Sequence, residues 1–143
     1  MRLRSLCVAA AMAAMVVAPA LIAGQQPAAT QPKGWILGED ADTKKNPLIA
    51  DAVTLAAGKG IYKDKCQRCH GPGGLGDGQD SDPDAREDMD LTLAKRAARN
   101  PDGVVYYKVA NGRRSPKMPA FKDELNEQQL WTVVTYAQTL RKK

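Results

Sequence analysis

Five consecutive residues, Cys66-Gln67-Arg68-Cys69-His70, bring two thiols and an imidazole into one short stretch of chain. On a turn of helix, residues three apart share a face, so both thiols can reach the two vinyl groups of a single porphyrin. The next residue then projects toward the metal, where an imidazole nitrogen is a good iron ligand. This C-x-x-C-H spacing is the signature of covalent haem attachment. Other uses of these residue types demand more than the chain offers. A thioredoxin-like dithiol needs a preceding strand and a βαβ pattern, which are absent. Structural zinc takes about four nitrogen or sulfur ligands, and beyond Cys7 the chain has only Cys66, Cys69 and His70. A plain disulfide would leave His70 without a role. The expected cofactor is one covalent haem c held by Cys66 and Cys69, with His70 as an axial iron ligand.

The elements that must position these residues read as helices. Ahead of the motif, Val53, Ala56, Ala57, Gly60 and Ile61 recur at three- and four-residue spacing and predict the buried face of a helix over 51–65. Gly58 and Gly60 each cost about 1 kcal/mol there relative to alanine. A glycine kept in a helix marks close packing against another backbone. Residues 71–90 read as a loop, with five glycines between Gly71 and Gly78 followed by an acidic run, and a short helix is expected around 91–98. Asn100 and Pro101 then form an N-cap and a first helical position. Val104, Val105, Tyr106 and Val109 supply the apolar side of that helix, and Gly112 stops it. A second loop over 113–122 carries Met118 between Pro116 and Pro119. The last segment opens with Asn126 and Gln129 as a capping box and Leu125 with Leu130 as a hydrophobic staple. Leu130, Val133, Val134, Ala137 and Leu140 continue at helical spacing. No segment alternates with a period of two, so the expected fold is all-α, with three to five helices.

Composition limits the rest. The chain has 143 residues, enough for one domain, and only 5% of them are aromatic. Aromatic side chains usually carry much of a small core's burial, so a bound haem would supply a large flat apolar body that this sequence is short of. Arg2 and Arg4 precede an uncharged run, Leu6 to Ala23, of mostly small and aliphatic residues. This predicts an export signal over 1–24, cleaved after Ala20, Ala23 or Gly24. The alternative is an uncleaved membrane anchor, which Pro19 and the alanine content disfavour. Cys7 lies in this run without the box that precedes a lipid-modified cysteine, and leaves with the signal. Cleavage removes two of the 21 bases and none of the 16 acids, giving a formal +3. Residues 25–50 read as an extended arm, rich in Gln, Pro, Ala, Thr and Lys, whose only apolar cluster is Trp35, Ile36 and Leu37. Either the arm is a tether or Trp35 docks on the domain. Residues 51–143 are the domain itself.

The acidic run tests two further chemistries and supports neither. Asp80, Asp82 and Asp84 are spaced as in a calcium loop, yet Ala85 replaces the required glycine, Pro83 occupies the middle, and Leu91 stands where the bidentate glutamate belongs. The glycines of 71–78 lack the Lys and Ser/Thr of a phosphate loop. Charge is also unevenly distributed. Residues 77–90 hold seven acids and one base, and residues 95–122 hold eight bases and one acid. Such separated patches steer and orient a partner. Nucleic acid is not implied.

Taken with the motif, these features resemble the monohaem class I cytochromes c of bacterial periplasms over residues 51–141. The matching residues are Gly58 and Tyr62 before the motif, Cys66 to His70 followed by Gly71, the Asn111-Gly112 turn, the Met118-Pro119 loop, and Val133 and Tyr136 in the last helix. The resemblance implies close crossing of the first and last helices, which would explain Gly58. It also implies a methionine sulfur as the second axial ligand. Met118, in a loop between two helices and followed by proline, has that context, and Met89 does not. The resemblance further implies that the His70 N–H donates to a proline carbonyl, with Pro72 and Pro83 as candidates, and that Tyr106, Tyr107, Trp131 or an arginine meets the propionates. His70/Met118 ligation would fill both axial positions, leaving one-electron transfer as the expected function of an exported, periplasmic, non-enzymatic carrier in a respiratory chain. Its partners would be redox proteins such as a dehydrogenase or terminal oxidase, docking at a basic patch of Arg113, Arg114, Lys117 and Lys122. Two other functions use the same motif: a five-coordinate haem enzyme or sensor, and a haem subunit of a respiratory complex tethered by an uncleaved N-terminus.

Overall fold

The computed structural model describes residues 34–141. The expected export signal, Cys7 and the first part of the arm lie outside the described residues. Within them the chain forms three longer helices and three single turns: α1 (Ala52–Lys65), α2 (Gln67–His70), α3 (Arg86–Met89), α4 (Ala94–Ala97), α5 (Asp102–Asn111) and α6 (Glu127–Thr139). Only isolated bridges, Leu75 with Asp90 and Arg113 with Met118, pair extended backbone among the described residues. The expected all-α class is observed, and the helix count exceeds three to five only through single turns.

Helix α1 starts where the Asp51 carboxylate accepts the Thr54 N–H at 2.7 Å, and Lys63 and Lys65 lie in its last turn beside the negative end of its dipole. It crosses α6 at Gly58. A Cβ placed there would lie 2.5 Å from the Thr132 carbonyl oxygen and 2.7 Å from Tyr136 Cβ, so the missing side chain is what lets the two backbones approach. One turn later Tyr62 is fully buried, its ring 5.3 Å from that of Tyr136. This corrects the expected face of α1. Val53 is 79% exposed, and Ala56, Ala57 and Gly60 are exposed too; the face against α6 is Gly58 and Tyr62, flanked by half-buried Leu55 and Ile61.

Helix α6 is the core element. Leu130, Trp131, Val133 and Val134 are buried and pack with Tyr62, Val109, Ala110, Phe121 and Leu125. Burial of each aliphatic side chain contributes about 1.5–3 kcal/mol. The capping box forms as expected, with Asn126 Oδ1 accepting from Gln129 N and Gln129 Oε1 accepting from Asn126 N, both at 2.9 Å. Asn126→Ala, which loses the bond to Gln129 N, should lower the unfolding free energy by about 1 kcal/mol. A fall in denaturation midpoint without a change in visible spectrum would be the result; an unchanged midpoint would deny the cap its role.

Helix α5 begins one residue later than expected. Pro101 is the N-cap and Asp102 the first helical residue. Asn100 uses its side chain elsewhere, donating to the Arg96 carbonyl and accepting from the Lys108 ammonium. Gly112 ends α5 with φ of 65°, and a side chain there would collide with the Met118 carbonyl. The expected loop over 71–90 is partly helical, through a 3₁₀ turn at Pro83–Ala85 and α3.

The arm is docked. Arg113 and Lys108 sit over the Trp35 ring, at 4.4 and 5.0 Å from its centroid. Asn111 donates to the Ile36 carbonyl at 2.8 Å, and Tyr107 donates its hydroxyl to Asp40 at 2.6 Å. Farther along, Asn46 donates to Thr135 of α6 at 2.8 Å, and Leu48 packs on the core.

Candidate functional site

The motif sits where α1 gives way to α2. Cys66 ends α1 with its N–H bonded to the Tyr62 carbonyl at 2.9 Å, and its own carbonyl accepts from Cys69 at 3.2 Å and His70 at 3.0 Å. One tight helical turn therefore carries Cys66, Cys69 and His70. Gly71 follows with φ of 77° and turns the chain away. The Tyr62 hydroxyl, which burial holds protonated by pushing its pKa far up, donates to the Gly71 carbonyl at 2.8 Å. The last turn of α1 before the motif is thus tied to the residue that follows it.

Both cysteines are free and half-buried. Burial, and next the neighbouring Cys69, pushes the Cys66 thiol up to about 12. It is protonated at neutral pH and unlike the acidic, nucleophilic thiol of a redox dithiol.

The His70 ring has one defined partner: its Nδ1 lies 2.6 Å from the Met89 carbonyl oxygen. A carbonyl only accepts, so Nδ1 carries the proton and Nε2 keeps its lone pair. Burial lowers the His70 pKa, outweighing the opposing hydrogen bond to Met89, and so favours the neutral, ligating form. The acceptor is therefore Met89, not Pro72 or Pro83 as the resemblance implied. Pro83 opens the 3₁₀ turn instead. Any residue can offer a backbone carbonyl, so nothing in the sequence distinguished Met89 for this role.

Met118 is half-buried and packs on the same core cluster as Cys66. Its loop is pinned by two 2.8 Å backbone hydrogen bonds exchanged with Arg113, and by Phe121 and Lys122 N–H groups bonded to the Val109 and Ala110 carbonyls. Of the residues suggested for propionates, Tyr107 is committed to Asp40, and Tyr106 stacks on buried Trp131 at 4.3 Å. The basic patch is smaller than expected. Arg113 is drawn inward by Asp88 and the Pro116 carbonyl, while Arg114, Lys117 and Lys122 remain at the surface. The acidic segment is partly neutralised by ion pairs: Glu87 with Lys95 at 2.5 Å, Asp88 with Arg96 at 2.8 Å, and Asp80 with Arg68 at 2.8 Å.

These residues suit a haem. Two free thiols share a helical turn, an oriented neutral imidazole follows them, and a thioether and half-buried Leu91 offer soft and apolar surface. Among the described residues no three His, Cys, Asp or Glu side chains gather as they would for a bare metal ion.

Residues 53–136 match the family described as cytochrome c oxidase, cbb3-type, subunit III. No curated protein sequence matches the chain. Among solved structures, the chain is similar to a Kuenenia stuttgartiensis reducing HAO-like protein complex, with 30% identity and a TM-score of 0.55, over 73% of this chain and 55% of that one. The chain thus spans little more than half the length of that relative.

Proposed function

The chain belongs to the cbb3-type cytochrome c oxidase subunit III family, making it a c-type cytochrome of haem-based electron transfer, and we propose that it is a periplasmic carrier of one electron on a single covalent haem c. Cys66 and Cys69 hold the porphyrin, and His70 Nε2 and the Met118 sulfur are the axial ligands. The observation that carries this reading is the 2.6 Å bond from His70 Nδ1 to Met89. It leaves Nε2 as the ring nitrogen available for a ligand bond and commits the Met89 backbone to the opposite, Nδ1 edge of the ring. That supports Met118 over Met89 as the second ligand.

Bound haem supplies a one-electron couple. The chain's own residues do the rest: the Met89 carbonyl orients His70 and raises its basicity, Tyr62 and Gly71 hold the motif turn closed, and the Arg113 pairing holds the Met118 loop. A thioether ligand favours ferrous iron and a high potential. Arg114, Lys117 and Lys122 form the surface for an acidic redox partner, a dehydrogenase or terminal oxidase. No helix among the described residues is long and apolar enough to cross a membrane. Residues 1–24 are read as the export signal and residues 25–50 as an arm, whose described part from Gly34 onward packs on the domain over 51–143.

The test is the visible spectrum of oxidised and reduced protein from an export-competent host, beside Met118→Ala. Wild type should show a low-spin covalent haem that resists carbon monoxide at neutral pH. The ferrous Met118→Ala form should bind carbon monoxide stoichiometrically. A wild type that binds the gas as readily would remove Met118 from the iron and favour the enzyme or sensor. Likeness to a component of a protein complex favours a second reading, a haem subunit of a larger assembly; membrane fractionation and the mature N-terminal residue separate it from a free carrier.

A further inference from the structure

Asp88 joins α3, which carries the His70 partner Met89, to the loop that carries Met118. On one side, its neighbour Met89 carries the carbonyl that orients His70. On the other, Asp88 Oδ2 accepts from Arg113 Nη2 at 3.4 Å, and Arg113 both donates from Nε to the Pro116 carbonyl at 3.0 Å and exchanges two 2.8 Å backbone bonds with Met118. The other carboxylate oxygen takes Arg96 Nη2 at 2.8 Å. A connected path therefore runs from the His70 ring through Met89, Asp88 and Arg113 to Met118.

The surroundings make this carboxylate hard to replace. The Arg113 side chain is only 15% exposed and lies under Trp35. Arg96 Nε is buried without a partner. Lys108 is held below its usual pKa by burial and then by Arg113, Arg96, Arg99 and Arg141, which shows how densely cations crowd this corner. Without the negative charge, Arg96 and Arg113 lose the one carboxylate they share. Arg113 then gains by turning to water, and the Met118 loop loses its tie.

We propose that Asp88 is a positioning residue that latches the Met118 loop, through Arg113, to α3, whose Met89 carbonyl orients His70, and thereby holds the sulfur at the iron. This rests on the reading of His70 and Met118 as the axial pair. The test uses ferric holoprotein and imidazole as a competitor for the methionine position, followed by loss of the thioether-to-iron absorption band. Asp88→Asn should bind imidazole about fivefold more tightly than wild type, the scale of one partly exposed charge-assisted contact. Arg113→Gln should do the same, and the double variant should be no worse than either alone, because both cut one path. Asp84→Asn, an exposed carboxylate of the same segment, should match wild type. If Asp88→Asn yields no holoprotein, Arg113→Gln carries the same prediction. Imidazole affinities within about twofold of wild type, or additive effects in the double variant, overturn the latch and leave the axial assignment standing. A wild type without the thioether band removes both.

Discussion

Replacing both thiols, Cys66→Ala with Cys69→Ala, is expected to abolish covalent haem in protein made by an export-competent host, read as loss of haem stain on a denaturing gel and of the pyridine haemochrome spectrum. The cause lies in how little else could retain the group covalently. The two cysteines are the only thiols among the described residues, and they are placed one helical turn apart. A second loss should follow. The core behind the motif has Tyr62, Phe121 and Trp131 as its buried aromatics, and a ligand that binds only the folded state stabilises it by mass action. The double variant should therefore unfold at lower denaturant and accumulate poorly. Single variants should separate the sites. Cys66, packed on the core cluster, should cost both attachment and packing, whereas Cys69→Ala should leave one thioether and a changed spectrum. Full covalent haem in the double variant would sink the assignment of both cysteines.

The parts of the molecule legible in the sequence are those written in side-chain type. The helical turn that carries Cys66, Cys69 and His70, the capping box at Asn126 and Gln129, and the Gly112 stop each follow from residue type, and each is observed. What stays hidden depends on partners remote in sequence or on backbone atoms. The Met89 carbonyl has no sequence signature. Asp88 is one acid among seven until folding sets it between Arg96 and Arg113. Trp35 reads equally as tether or anchor, because its partners Lys108 and Arg113 lie more than seventy residues away. Periodicity misplaces the α1 face for a related reason: it scores side chains, and Gly58, where the α6 backbone leaves no room for a Cβ, has none.

The same substitution at two glycines of α1 should therefore have opposite signs. Gly60 is exposed, and a Cβ added there would meet nothing within 4 Å, so Gly60→Ala gains helix propensity alone and should raise stability by up to about 1 kcal/mol. Gly58→Ala gains the same propensity but drives its methyl to 2.5 Å from the Thr132 carbonyl oxygen and 2.7 Å from Tyr136 Cβ. The first obstacle is backbone of α6 and cannot rotate aside, so α1 must move. Overpacking of this kind costs about 1–3 kcal/mol, more than the propensity gain, and Gly58→Val should reach the upper end, a large share of the about 5–15 kcal/mol that holds a domain folded. Moving α1 also displaces Cys66 at its end and Tyr62 one turn before, so the damage should reach the cofactor as well as the melting curve. Haem content per chain should fall from wild type to Gly58→Ala to Gly58→Val, while Gly60→Ala keeps full loading. Equal stability of the two alanine variants would mean that α1 and α6 do not cross at Gly58, and the account of how the motif is held in place would fall with it.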